Sequence, residues 1–115
     1  MSLASRTKTI WRTELSNLYA IITTDRSDAG SLRMDLLEMH IAHVERHLDR
    51  LSVAGPLRDE EGEFAGSLLI VKAEDEADAR SFLEMDPYFK ADLWDQIQIN
   101  AFGAVAGDWV GGKTW

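Results

Sequence analysis

Residues 34–51, MDLLEMHIAHVERHLDRL, space Leu37, Ile41, Val44, Leu48 and Leu51 at steps of 4, 3, 4 and 3. Side chains on an α-helix are about 100° apart, so that spacing draws one continuous apolar stripe and predicts a helix. Working outward, Asp25–Ser31 (DRSDAGS) has the composition of a loop. Before it, residues 17–23 (NLYAIIT) form a compact apolar run with β-branched and aromatic members, the mark of a buried strand. On the other side, Gly55-Pro56 ends the helical element and opens a short extended segment. The Glu61-Gly62 turn leads into a strand at residues 67–72 (SLLIVK). Residues 74–84 predict a second helix with Ala79, Phe82 and Leu83 inward. Pro87 interrupts it, because the residue before proline avoids the helical region. Residues 96–101 (QIQINA) alternate polar and apolar, a half-buried strand.

The order β-α-β-β-α-β is an α+β, ferredoxin-like pattern: an antiparallel sheet with both helices on one face and the other face bare. The first strand has apolar residues for both faces, Leu18, Ala20 and Ile22 on one and Tyr19 and Ile21 on the other. A domain of this size buries only about two thirds of its unfolded surface. A bare apolar face therefore invites a second copy, and the expected assembly is a homodimer packed sheet to sheet.

Composition narrows the function. The 115 residues include 20 acids, 12 bases and no cysteine, with a formal net charge of −8. The length suits one domain, and 45% hydrophobic with 28% charged residues reads as soluble and globular. The acidic balance argues against a nucleic-acid or anionic-membrane partner, since phosphate contacts need clustered Lys and Arg. Without cysteine there is no disulfide, thiolate ligand or thiol nucleophile, which suits a reducing cytoplasm. Residues 59–95 hold a net of −9, mostly in the runs Asp59–Glu63 and Glu74–Glu76. They lack the calcium-loop pattern and read as a solvated hairpin turn and an acidic helix N-terminus.

Three segments follow: a basic leader over 1–16, the folded domain over 17–103 and a Gly/Trp tail over 104–115. The leader has no apolar run long enough for a signal sequence or a membrane span. Trp11 lies in it, and Trp109 and Trp115 lie in the tail. Aromatics in a Gly-rich tail imply docking, on a partner subunit, over a pocket or on the chain's own surface.

All three histidines, His40, His43 and His47, lie on the first helix. His40 flanks the apolar stripe, His47 lies beside it and His43 turns further toward solvent. Their spacing can chelate zinc, but HExxH is absent and no thiolate is available, so no metal and no cofactor is assigned. In a pocket, His40 would serve as an acid–base near neutrality. Asp86 before Pro87 fits a helix N-cap on local pattern. Ser67 lacks nucleophile-elbow glycines, which disfavours a serine hydrolase, and no phosphate-binding glycine loop occurs.

Taken together, the residues resemble the YCII-related (YciI-like) family. The likeness runs from about Asn17 to Phe102 through NLYAIITTD, Leu32-Arg33, His40 within HIAHVERHLDRL, and the Ala54-Gly55-Pro56-Leu57 corner. It continues through Gly66-Ser67-Leu68-Leu69-Ile70-Val71, Asp86-Pro87-Tyr88 and Lys90-Ala91-Asp92-Leu93. Asp92 stands where the family usually has glycine, and His43 and His47 are outside its pattern. The resemblance implies a ferredoxin-like subunit pairing into a dimeric α+β barrel. It also implies a cleft holding a first-helix histidine and the aspartate of the Asp-Pro motif, here His40 and Asp86.

On that basis one expectation is an isomerase or lyase. His40 and Asp86 would transfer protons on a small polar or aromatic metabolite, with Arg33, Tyr88 and Ser67 as substrate contacts. The other is a non-catalytic dimeric module that binds a small ligand or a protein. Hydrogen-bond reach between His40 and Asp86, about 3 Å, inside an apolar cleft would favour the enzyme.

Overall fold

A computed structural model describes residues 17–115. The leader and Trp11 lie outside them. In chain order the elements are β1 (Leu18–Asp25), α1 (Leu32–Asp35), α2 (Leu37–Arg46), β2 (Leu51–Arg58) and β3 (Phe64–Lys72). They continue with α3 (Glu76–Glu84), α4 (Pro87–Lys90) and β4 (Trp94–Phe102). The sheet order is β2-β3-β1-β4, and every neighbouring pair is antiparallel. This is the α+β, ferredoxin-like arrangement expected from the order of elements.

The pleat sorts β1 cleanly. Ile21 pairs with Leu69 of β3 and Ile99 of β4, and Thr23 with Ser67 and Ile97, all on the helix-covered face. Over this row sit Ala79, Phe82 and Leu83 of α3, with Tyr88, Leu93 and Trp94, forming one buried cluster. On the opposite face Ala20 pairs with Ile70 and Ile22 with Leu68, while Val53 of β2 pairs with Ile70. No helix covers that second row among the described residues.

Two expectations about the first helix need correction. The helical stretch is broken at Leu36 (φ −98, ψ 1) and stops at His47 (φ −127, ψ 25); a 3-10 turn over Leu48–Arg50 then runs straight into β2 at Leu51. Leu51 fits the helical stripe, but it pairs with Val71, and after a bulge Val53 pairs with Ile70, so both belong to the strand. The second correction concerns orientation. The apolar stripe is not the core face: Ile41 is 44% exposed and Leu48 62%. Instead His43, expected to turn toward solvent, is only 4% exposed. The helix is rolled so that the His43 and His47 rings lie 5.8 and 5.6 Å from the Phe82 ring of α3.

The acidic runs serve local backbone geometry. Asp59 accepts from the N–H groups of Glu61 and Glu63 at 3.0 Å each, closing the β2–β3 hairpin. Asp75 caps α3 by accepting from Asp78 N–H at 2.8 Å. Asp92 has φ 59, a left-handed conformation that glycine adopts freely and aspartate tolerates better than most residues.

Candidate active site

A cavity of about 270 Å³ opens between α1–α2 and the β2–β3 hairpin. Leu37, Ile41 and Val44 form one wall, and Ala54, Gly55 and Pro56 another. Three of the five stripe residues are therefore apolar where they bound a pocket. Arg33, His40, Ser67 and Tyr88, linked by direct contacts, gather at one end of the same cavity, and the exposed Glu45 also lines it. Its volume sits near the lower limit of small-molecule sites, about 300 Å³, and suits a compound of one ring.

Backbone and packing hold the polar groups in place. Asp86 precedes Pro87, so it is extended (φ −70, ψ 134) and caps α4, its Oδ1 accepting from Tyr88 N–H at 2.8 Å. The same Oδ1 lies 2.9 Å from His40 Nδ1. A carboxylate only accepts, so Nδ1–H donates and the Nε2 lone pair is left as the ring's remaining proton acceptor. The cap and the dyad are therefore one arrangement. Both sequence readings of Asp86 describe the same atom.

Tyr88 stacks on His40 with ring centroids 4.0 Å apart and planes 13° from parallel. It is fully buried, and its hydroxyl donates to the Arg33 carbonyl at 3.1 Å. Burial pushes its phenol pKa up, with Arg33 opposing, so the hydroxyl stays protonated. Tyr88 thus backs the His40 ring and lies under the Arg33 guanidinium, which is 5.0 Å from the Tyr88 ring centroid, its hydroxyl being committed to the backbone.

Arg33 comes from α1 and crosses to the sheet. Its Nε and Nη2 donate to Asp25 Oδ2 and Oδ1 at 2.7 and 2.8 Å, a bidentate pair. Nη2 also donates to the Gly66 carbonyl at 3.0 Å and to Ser67 Oγ at 3.3 Å. Burial acts to lower the guanidinium pKa, but the hydrogen bond and charge of Asp25 outweigh it and hold it above its ordinary value. A fixed cation thus stands at the cavity end beside His40. Gly66 lets β3 lie close against β1 here, since a Cβ there would collide with the Thr23 carbonyl oxygen.

The five residues singled out from sequence, Arg33, His40, Ser67, Asp86 and Tyr88, all meet at this cavity or its edge. Asp25 was read as a loop residue, yet it ends β1 and anchors Arg33. The only local signal for it is a carboxylate closing an apolar strand. His43 and His47 face away from the cavity. His47 Nδ1 donates to the His43 carbonyl at 2.7 Å, while His43 Nε2 is buried with no partner among the described residues. Burial lowers the His43 pKa.

The pattern of the YCII-related domain matches residues 17–103. The chain belongs to that family. Within it, the YciI proteins of Escherichia coli O6:H1 and Shigella flexneri are each 27% identical over 96 residues, covering 76% of this chain and 98% of theirs. Among solved structures, 5-chloro-2-hydroxyhydroquinone dehydrochlorinase from Burkholderia phenoliruptrix, in complex with 2,5-dihydroxybenzoquinone, superposes with a TM-score of 0.67 at 28% identity. That likeness covers 79% of this chain and 96% of the dehydrochlorinase. The fold is thus shared with an enzyme whose name specifies a chlorinated, hydroxylated ring.

Proposed function

We propose that this YCII-related protein is a cofactor-independent lyase or isomerase that moves protons on a small hydroxylated ring compound. The observation that carries the reading is the 2.9 Å contact between His40 Nδ1 and Asp86 Oδ1 at the polar end of an apolar cavity. Asp86 fixes the imidazole tautomer and stabilises the imidazolium that forms when Nε2 takes a proton. Arg33 holds a phenolate or enolate oxygen of the substrate as charge develops on it. Where the ring carries a leaving group, the electron pair of the broken bond to hydrogen forms the new double bond. The leaving group departs with its own pair, so a halide substrate yields the unsaturated product, halide and a proton. The likeness to the dehydrochlorinase supports this substrate class.

In the same reading, two copies pair through their bare sheet faces and work in the cytoplasm. Light scattering at micromolar concentration tests the pairing, and a monomer there would overturn it. The chemistry is tested with 5-chloro-2-hydroxyhydroquinone as substrate, following chloride release, and with 2,5-dihydroxybenzoquinone as a binding probe. His40→Ala is expected to lower turnover about 10²- to 10⁴-fold while the fold persists. Unchanged turnover in that variant would remove His40 from the mechanism. The second reading, a non-catalytic dimeric ligand-binding or interaction module, draws on the exposed tryptophans of the tail. It would stand if the quinone probe bound and no related ring compound turned over.

A further inference from the structure

Beyond β4 the chain folds back on itself. Ala106–Gly107 (β5) pairs with Gly112–Lys113 (β6) around a 3-10 turn at Asp108–Val110. Gly107 (φ 127), Gly111 (φ 78) and Gly112 (φ 112) take backbone conformations that other residues resist, so the turn has a defined shape. Its hydrogen bonds close within it: Thr114 N–H and Oγ–H both donate to the Val105 carbonyl, and Gly111 N–H to that of Asp108. The family match stops at residue 103, so this hairpin is an addition to the family's domain.

The hairpin overhangs the body. The described residues span 57 × 29 × 23 Å with a radius of gyration of 16.2 Å. A compact chain of this length has a radius of about 13 Å. Trp109 is 84% exposed and Trp115 59%. An ordered segment that presents two indole rings to water invites cover by another molecule.

We infer that residues 104–115 form an arm that clasps a second copy of this chain. The arm continues from β4, whose Phe102 pairs with Leu18 and lies on the same uncovered face as Ala20 and Ile22. The surface that needs covering and the segment that provides cover are thus contiguous. Two-fold pairing of that face delivers each arm to the other chain in one self-complementary contact. Asp108 and Lys113 cancel, so the arm adds no repulsion to a chain of net charge −8. This inference rests on the sheet-to-sheet pairing proposed above and assigns the arm its role there.

The test is sedimentation equilibrium of the full chain against a Trp109→Ser/Trp115→Ser double variant, with Trp109→Phe/Trp115→Phe as the conservative pair. Both rings are exposed in the single chain, so circular dichroism should be unchanged. The serine variant is expected to dimerise at least about 30-fold more weakly, and the phenylalanine variant to recover most of that loss. Wild-type tryptophan emission should shift to the red on dilution through the dissociation. Equal dimerisation by wild type and serine variant would remove the arm from the interface and leave the sheet pairing standing. A wild-type chain that stays monomeric would overturn both.

Discussion

Two helices lie on one face of the same sheet and do opposite work. Helix α3 is capped by Asp75 and turns Ala79, Phe82 and Leu83 into the core, as an amphipathic helix is expected to. Across α1 and α2 the polarity is mixed, with Leu32 and Leu36 packed on the core. Arg33 and His43 are buried, while Met34 and Ile41 stay exposed and Leu37, Ile41 and Val44 line a cavity. Burying polar groups is costly unless they are paired, so α3 contributes stability and α1–α2 spend part of it on a site. An apolar stripe therefore marks a surface meant to leave water, whether a core or a ligand removes it.

The sharpest way to break this contrast is a matched pair of truncations. Phe82→Ala should cost about 3–5 kcal/mol in denaturant unfolding, the usual penalty for a buried ring. Ile41→Ala should cost under about 1 kcal/mol, because the side chain is nearly half exposed and outside the core cluster, while weakening 2,5-dihydroxybenzoquinone binding. Equal stability losses would mean that the stripe is core after all.

The pH dependence of stability probes the buried polar side of α2. Burial holds the folded-state pKa of His43 below its unfolded value near 6.5. Protonation therefore favours the unfolded chain. The associated stability is fully present above about pH 6.5 and is lost as pH falls from there through the folded-state pKa. Melting temperatures recorded from pH 7.5 to 5 should fall more steeply for the wild type than for His43→Leu. Parallel curves would show that His43 carries no such linkage. The smallest effect tests the link between the helices' face and β4: Asp92→Gly should stabilise by about 0.5–1 kcal/mol by relieving the left-handed strain. The weak 3.9 Å ion pair of Asp92 to Arg26 subtracts little from that gain. A loss of stability would mean that this ion pair outweighs the backbone term.

Periodicity carried the elements into view because strand and helix repeats reflect local geometry. The alternation in QIQINA became β4, and Ala79, Phe82 and Leu83 reached the core. Family likeness, not periodicity, singled out His40 and Asp86, since a lone histidine beside an apolar stripe and an Asp before Pro are each ordinary. The roll of α2 was misread because the rule that apolar means core assumes a single apolar interior. Asp25 was missed because its role is defined by a guanidinium arriving from another element.

The sequence by itself determined the order of elements, the placement of the turns, the acidic excess of the β2–β3 hairpin and α3, and the absence of thiol chemistry. Each of these depends on neighbours within a few residues or on composition. Only the tertiary structure decided which face of α2 meets the core and that one Asp86 oxygen serves both a cap and a histidine 46 residues away. It also decided that Arg33 is pinned between β1 and β3. Those contacts join distant parts of the chain, and their geometry exists only once the sheet has brought its strands together.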